Sequence, residues 1–205
     1  VFGYVETAHE TDGGVERLRL AAPGNAAGNV VDTIRGARMA QAVAHAIRTQ
    51  GRLVAEAGTG TGKTFSYLVP ALLYGGKVIV STGTKTLQDQ LFHRDLPAVR
   101  DALGMAVTSA LLKGRANYVC HYHLERNLQD GRLPNREAVN DLQAIARFAR
   151  VTQTGDRSEA PEVPEDSAAW MLATSTRENC LGQQCPNFSD CFVMKARRAA
   201  LELDD

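Results

Sequence analysis

Apolar positions along the first half of the chain alternate between helical spacing and short unbroken runs. Met39, Val43, Ala46 and Ile47 share one side of a helix expected over Arg38–Arg48. Leu53-Val54-Ala55 is a brief apolar run and predicts a buried strand reaching Glu56. Phe65, Leu68, Val69, Leu72 and Leu73 return to helical spacing over Thr64–Tyr74, and Gly75-Gly76 closes that helix. Lys77–Thr82 is rich in β-branched residues and reads as the next strand. A helix through Leu87, Leu91 and Leu96 stops at Pro97, and Ala106–Leu112 predicts a third strand. Strands alternating with helices predict an α/β fold, a parallel sheet with helices on both faces.

The alternation ends near Lys113. Residues 114–128 and 136–150 read as helices, as does Phe192–Leu203. Thr152–Asp166 is polar, contains Pro161 and Pro164, and reads as a loop or mobile linker. The expected organisation is a lead-in over 1–33, with a turn-like Thr11–Gly14 and a Gly/Ala/Asn-rich Ala21–Asn29. An α/β domain follows over 34–113, then an inserted, mostly helical module over 114–199, and a return to the first domain at 200–205. The chain begins with Val1 rather than Met, as a fragment or a misread start would.

Composition changes this picture little. The 205 residues are 44% hydrophobic and 22% charged, ordinary values for a globular chain able to bury a core. The net charge is zero, so any nucleic-acid contact must come from local basic clusters. No apolar run approaches the ~18 residues of a membrane span, and the N-terminus is no signal peptide.

The chemistry concentrates in Ala55–Thr64, which reads Ala-Glu-Ala-Gly-Thr-Gly-Thr-Gly-Lys-Thr. Gly58, Gly60 and Gly62 permit a tight turn whose N–H groups, with those of Ala57, Thr59 and Thr61, face phosphate oxygens. Lys63 is placed to reach the β/γ-phosphates of ATP, and the Thr64 hydroxyl to hold Mg²⁺. The strict pattern G-x-x-x-x-G-K-[ST] has glycine where this chain has Ala57. Strand, glycine loop and helix N-terminus together form an anion site.

The four cysteines, Cys120, Cys180, Cys185 and Cys191, all fall in the inserted module. A phosphate-loop protein is ordinarily cytosolic, so disulfides are not expected. Thiolates confined to one module suggest a metal site, and both a [4Fe–4S] cluster and zinc accept four cysteines. A distant cysteine followed by C-x4-C-x5-C suits the cluster better than the tight pairs zinc favours. His121 and His123, beside Cys120, read as exposed or hydrogen-bonded rather than ligating.

Four blocks together resemble a known family: Glu56–Thr64, Val80–Leu91, Leu111–Cys120, and Asn179-Cys180-Leu181-Gly182 through Cys185-Pro186 to Asp190–Val193. They are similar to the N-terminal part of XPD-like iron–sulfur DNA helicases of the second superfamily, in the DinG/YoaA branch. The resemblance covers about residues 34–205. It implies a partial RecA-like phosphate-loop motor domain carrying an iron–sulfur module, with ATP, Mg²⁺ and a [4Fe–4S] cluster on the four cysteines. It implies that Arg38 and Gln41 read the adenine. It implies that Thr82, Thr84, Lys85 and Gln88 touch the DNA backbone, and that Lys113 and Arg115 face the single strand at a fork. Single-stranded or forked DNA, replication or repair proteins, a cytoplasmic and nucleoid-associated location, and 5′-to-3′ movement follow from the same resemblance. The acidic Asp-Glu box of such motors does not occur in the sequence, so the chain by itself is expected to bind nucleotide weakly without turnover. A zinc-containing nucleotide-binding scaffold or sensor and a phosphate-loop kinase or transport ATPase are the alternatives.

Overall fold

The computed structural model describes residues 7–12, 15–20, 28–58, 62–131 and 135–203. They form two compact units that divide between Val107 and Thr108.

The first unit opens on two strands, β1 (Thr7–Asp12) and β2 (Val15–Leu20), paired antiparallel with Asp12 opposite Val15. The lead-in therefore contains regular structure that the sequence reading treated as a tail. Gly13-Gly14 between two short runs is a hairpin signal, and only its turn character was recognised. Helix α1 spans Gly28–Arg48, ten residues more at its start than its apolar spacing indicates. Strand β3 (Arg52–Glu56) pairs parallel with β2, giving the sheet order β1-β2-β3. Met39 on α1 is buried against Ala42, Val43, Leu53, Ala55 and Ala57, which seats the end of β3 beneath the helix.

Helix α2 (Lys63–Tyr74) packs on α1 and ends at Gly75, whose φ of 74° closes it in the left-handed region. Lys77–Thr82 and Ala106–Leu112 are not strands. Their β-branched residues have the propensity, but neither segment joins a ladder among the described residues. Ile79 is 97% exposed. Strand identity lies in pairing and burial more than in local preference, so the wider parallel sheet does not form here.

The next helix also differs from expectation. It does not stop at Pro97 but runs as α3 (Lys85–Gln90), a π-turn over Leu91–Asp95, and α4 (Leu96–Leu103). The N–H of Leu96 donates to the carbonyl of Leu91, five residues back. This wider turn admits the proline, whose ring would crowd a regular helical carbonyl.

The second unit is helical: α5 (His121–Asp130), α6 (Arg136–Val151), α7 (Ala168–Ala173) and α8 (Phe192–Glu202). On α6, Ala138, Leu142, Ile145 and Phe148 recur every three or four residues and bury one face. Leu142 and Ile145 are fully enclosed, each worth about 1.5–3 kcal/mol of apolar transfer. They share a core with Val119, Leu124, Trp170, Phe192 and Val193. The polar segment Thr152–Asp166 is not a detached linker. Asp156, Ala160 and Val163 are buried, and Trp170 Nε1 donates to the carbonyl of Pro164 at 3.1 Å. Polar composition hid this packing because few buried apolar residues suffice when backbone groups are capped. Thr152 Oγ1 accepts from the N–H groups of Thr154 and Gly155.

Candidate nucleotide site and cysteine centre

The candidate nucleotide site lies where β3 gives way to α2. Gly62 holds φ at 72° immediately before the helix, a conformation a side chain resists. Its carbonyl accepts from both the N–H and the hydroxyl of Ser66, fixing the first turn. Lys63 and Thr64 therefore stand at the helix N-terminus, where the backbone dipole favours an anion. Lys63 Nζ folds back to donate to the carbonyls of Ala57, at 2.9 Å, and Gly58. The ammonium spans the mouth of the loop from its helix end to its strand end. Thr59, Gly60 and Thr61 lie outside the described residues. Arg38 and Gln41 are exposed on α1, three residues apart.

The residues expected to touch a DNA backbone divide into two groups. Thr84 caps α3, its Oγ1 accepting from the N–H of Leu87 at 3.3 Å, and Thr82 Oγ1 donates to the Thr84 carbonyl. Lys85 is exposed one residue further on, and Gln88 is half-buried. In the second unit, Lys113 is buried and ion-paired with Asp156, so its ammonium does not face solvent as the sequence reading supposed. The signal was absent from the sequence because Asp156 lies 43 positions away in a segment read as a linker. Arg115 is half-buried, and its Nη1 donates to Cys180 Sγ at 3.2 Å.

All four cysteines are free, half-buried thiols in the second unit. Cys120 and Cys191 immediately precede α5 and α8, and Cys180 and Cys185 flank the short turn Gly182–Gln184. Burial raises the Cys120 thiol above its ordinary value, opposed by the N–H of His123 and reinforced by nearby Cys185 and Cys191. Arg115 and the N–H of Gly182 donate to the sulfur of Cys180. Among the described residues no set of three His, Cys, Asp or Glu side chains converges on a metal position. In number, type and half-burial the thiols fit a Cys₄ centre, and N–H donors at sulfur suit its negative charge.

The histidines have other partners. His121 stacks on Phe192 with ring centroids 4.8 Å apart, and burial lowers its pKa. His123 Nε2 lies 3.3 Å from the carbonyl of Asn179.

A phosphate loop between β3 and α2, followed by a capped helix at Thr84, is the arrangement of a nucleotide-dependent motor. Residues 38–124 match the DEAD/DEAH box helicase family. The chain is 51% identical to the ATP-dependent DNA helicase YoaA of Haemophilus influenzae over 166 residues, 81% of this chain and 26% of that protein. It is 51% identical to the YoaA of Escherichia coli over 168 residues, 82% and 26% respectively. The ATP-dependent helicase DinG of Mycobacterium tuberculosis is 40% identical over 184 residues, 79% of this chain and 28% of that protein. The chain belongs to the DinG/YoaA-type helicases, a class that implies a RecA-like phosphate-loop fold, while its described residues are mostly helical with one three-stranded sheet. It spans about a quarter of the length of the curated relatives it matches. No helix among the described residues is long and apolar enough to cross a membrane.

Proposed function

We propose that this chain is the nucleotide-binding front of an ATP-dependent DNA helicase that carries a [4Fe–4S] cluster. The whole enzyme moves 5′ to 3′ along single-stranded DNA and acts in repair or at stalled forks, alongside replication or repair proteins. What carries the reading is Lys63 lying across the glycine loop at the head of α2, within a chain of helicase sequence.

In this reading Lys63 leaves the Ala57 and Gly58 carbonyls and turns to the β/γ-phosphates of ATP. Gly58, Thr59, Gly60, Thr61 and Gly62 supply backbone N–H groups, and Thr64 holds Mg²⁺. Arg38 and Gln41 take the adenine. Thr82, Thr84, Lys85 and Gln88 meet the DNA backbone, with Arg115 in the second unit. Lys113 holds the second unit together instead. Cys120, Cys180, Cys185 and Cys191 ligate the cluster, which ties residue 120 to residues 180–191 and so closes a long loop. The location is cytoplasmic and nucleoid-associated.

Titration of the chain with a fluorescent ATP analogue and Mg²⁺ tests this reading. Weak, saturable binding that Lys63→Ala abolishes is expected, without turnover, because the chain supplies the phosphate cradle and a single magnesium ligand. Binding that Lys63→Ala leaves unchanged contradicts it.

A further inference from the structure

The second unit contains a cavity of about 630 Å³ lined by Gly114 and Arg115, by Ser175–Arg177 and by Arg197. Three arginines from three separate segments line it, and its lining contains no carboxylate. We propose that this cavity seats a phosphodiester of one DNA strand on Arg115, Arg177 and Arg197. The inference rests on the helicase reading and adds Arg177 and Arg197, which no motif marks, as strand contacts.

Among the described residues, none of these three arginines forms an ion pair. Three like charges around one cavity repel, and a bound anion turns that repulsion into attraction. Guanidinium forks match phosphate oxygens bidentately, which a lysine cannot do. Arg115 is pre-positioned, because one of its donors is fixed on Cys180 Sγ and the others remain available. The volume lies within the range of small-ligand sites, about 300–1,000 Å³, and exceeds what an isolated phosphate fills. A nucleotide unit of a strand fits that size. The net charge of the chain is zero, so local focusing by this cluster has to supply the attraction.

Anisotropy of a labelled oligothymidine with the full 205-residue chain tests the assignment. Arg177 and Arg197 are exposed, so Arg177→Ala/Arg197→Ala keeps the fold, which Trp170 emission verifies. The double variant is expected to bind about tenfold more weakly near 50 mM salt and to lower the log–log salt slope by about 1.4, two contacts at ~0.7 each. Arg198→Ala removes the same charge from the next position of α8, outside the cavity, and is expected to stay within about twofold of wild type. An unchanged slope in the double variant, or an Arg198→Ala loss equal to that of Arg197→Ala, overturns the proposal. So does a wild-type chain that binds no oligonucleotide. Inorganic phosphate or ATP at matched ionic strength is expected to displace the strand poorly. Displacement as ready as by unlabelled strand makes the cavity a free-anion site and overturns it too. Normal nucleotide titration with a failed cavity test leaves the helicase reading standing, whereas loss of nucleotide binding fails that reading itself.

Discussion

Lys113 Nζ sits 2.6 Å from Asp156 Oδ2, with only 1% and 8% of the two side chains exposed. Lys113 Nζ also donates to Ser158 Oγ at 3.2 Å, and its backbone N–H donates to the Tyr118 hydroxyl. Asp156 Oδ1 accepts in turn from the N–H and hydroxyl of Ser158. The pair fastens the entry of the second unit to the segment before α7. Removing one partner leaves the other charge buried. Lys113→Met is therefore expected to destabilise this unit by about 3–5 kcal/mol, whereas Lys113→Met/Asp156→Leu recovers most of that loss. Urea unfolding followed by the emission of Trp170 measures both. Equal losses in the two variants would contradict this account, since the unpaired carboxylate would then not be what destabilises Lys113→Met.

Gly155 is irreplaceable for a different reason. Its φ is 68°, and a Cβ there would lie 2.2 Å from Cγ of Phe192. The residue lets the Phe192 ring close against the backbone directly beside Cys191. Gly155→Ala is expected to cost well over the ~1 kcal/mol of a left-handed alanine, because the ring must also move. Gly131→Ala is the control: φ is 61° and nothing lies within 4 Å of the added carbon. Thermal melts of both variants should separate them clearly, and similar melting temperatures would contradict this account of Gly155.

Helix α6 is capped by Asn135, whose Oδ1 accepts from the N–H of Ala138 at 2.8 Å. Asn135→Ala is expected to lower stability by about 1 kcal/mol, and Asn135→Asp to restore most of it. Denaturant midpoints at constant slope provide the measurement.

The strand and helix that flank the glycine loop were legible because their apolar patterning is local. Lys63, Gly62 and the Ala57 carbonyl lie within seven consecutive residues. The cysteine module was legible as a composition, four thiols in one segment, but not as a geometry. Spacing alone cannot say whether the four sulfurs converge, and among the described residues no three potential ligands do. Lys113 was misread for the same reason: burial and a partner 43 residues away leave no mark on the local pattern. The strands expected at 77–82 and 106–112 carried correct local preference, but a strand exists only through its neighbours. Helix α7 was overlooked because Ala168–Ala173 is short and its cap, Ser167, resembles any loop serine.

Metal content separates the iron–sulfur helicase reading from a zinc-bearing nucleotide scaffold most directly. Protein prepared without oxygen is expected to be brown and to hold about four irons per chain, as a Cys₄-ligated cluster does. Cys120→Ser, Cys180→Ser, Cys185→Ser and Cys191→Ser should each bleach it while leaving nucleotide binding at Lys63 intact. Stoichiometric zinc without iron in the same preparation would contradict the account.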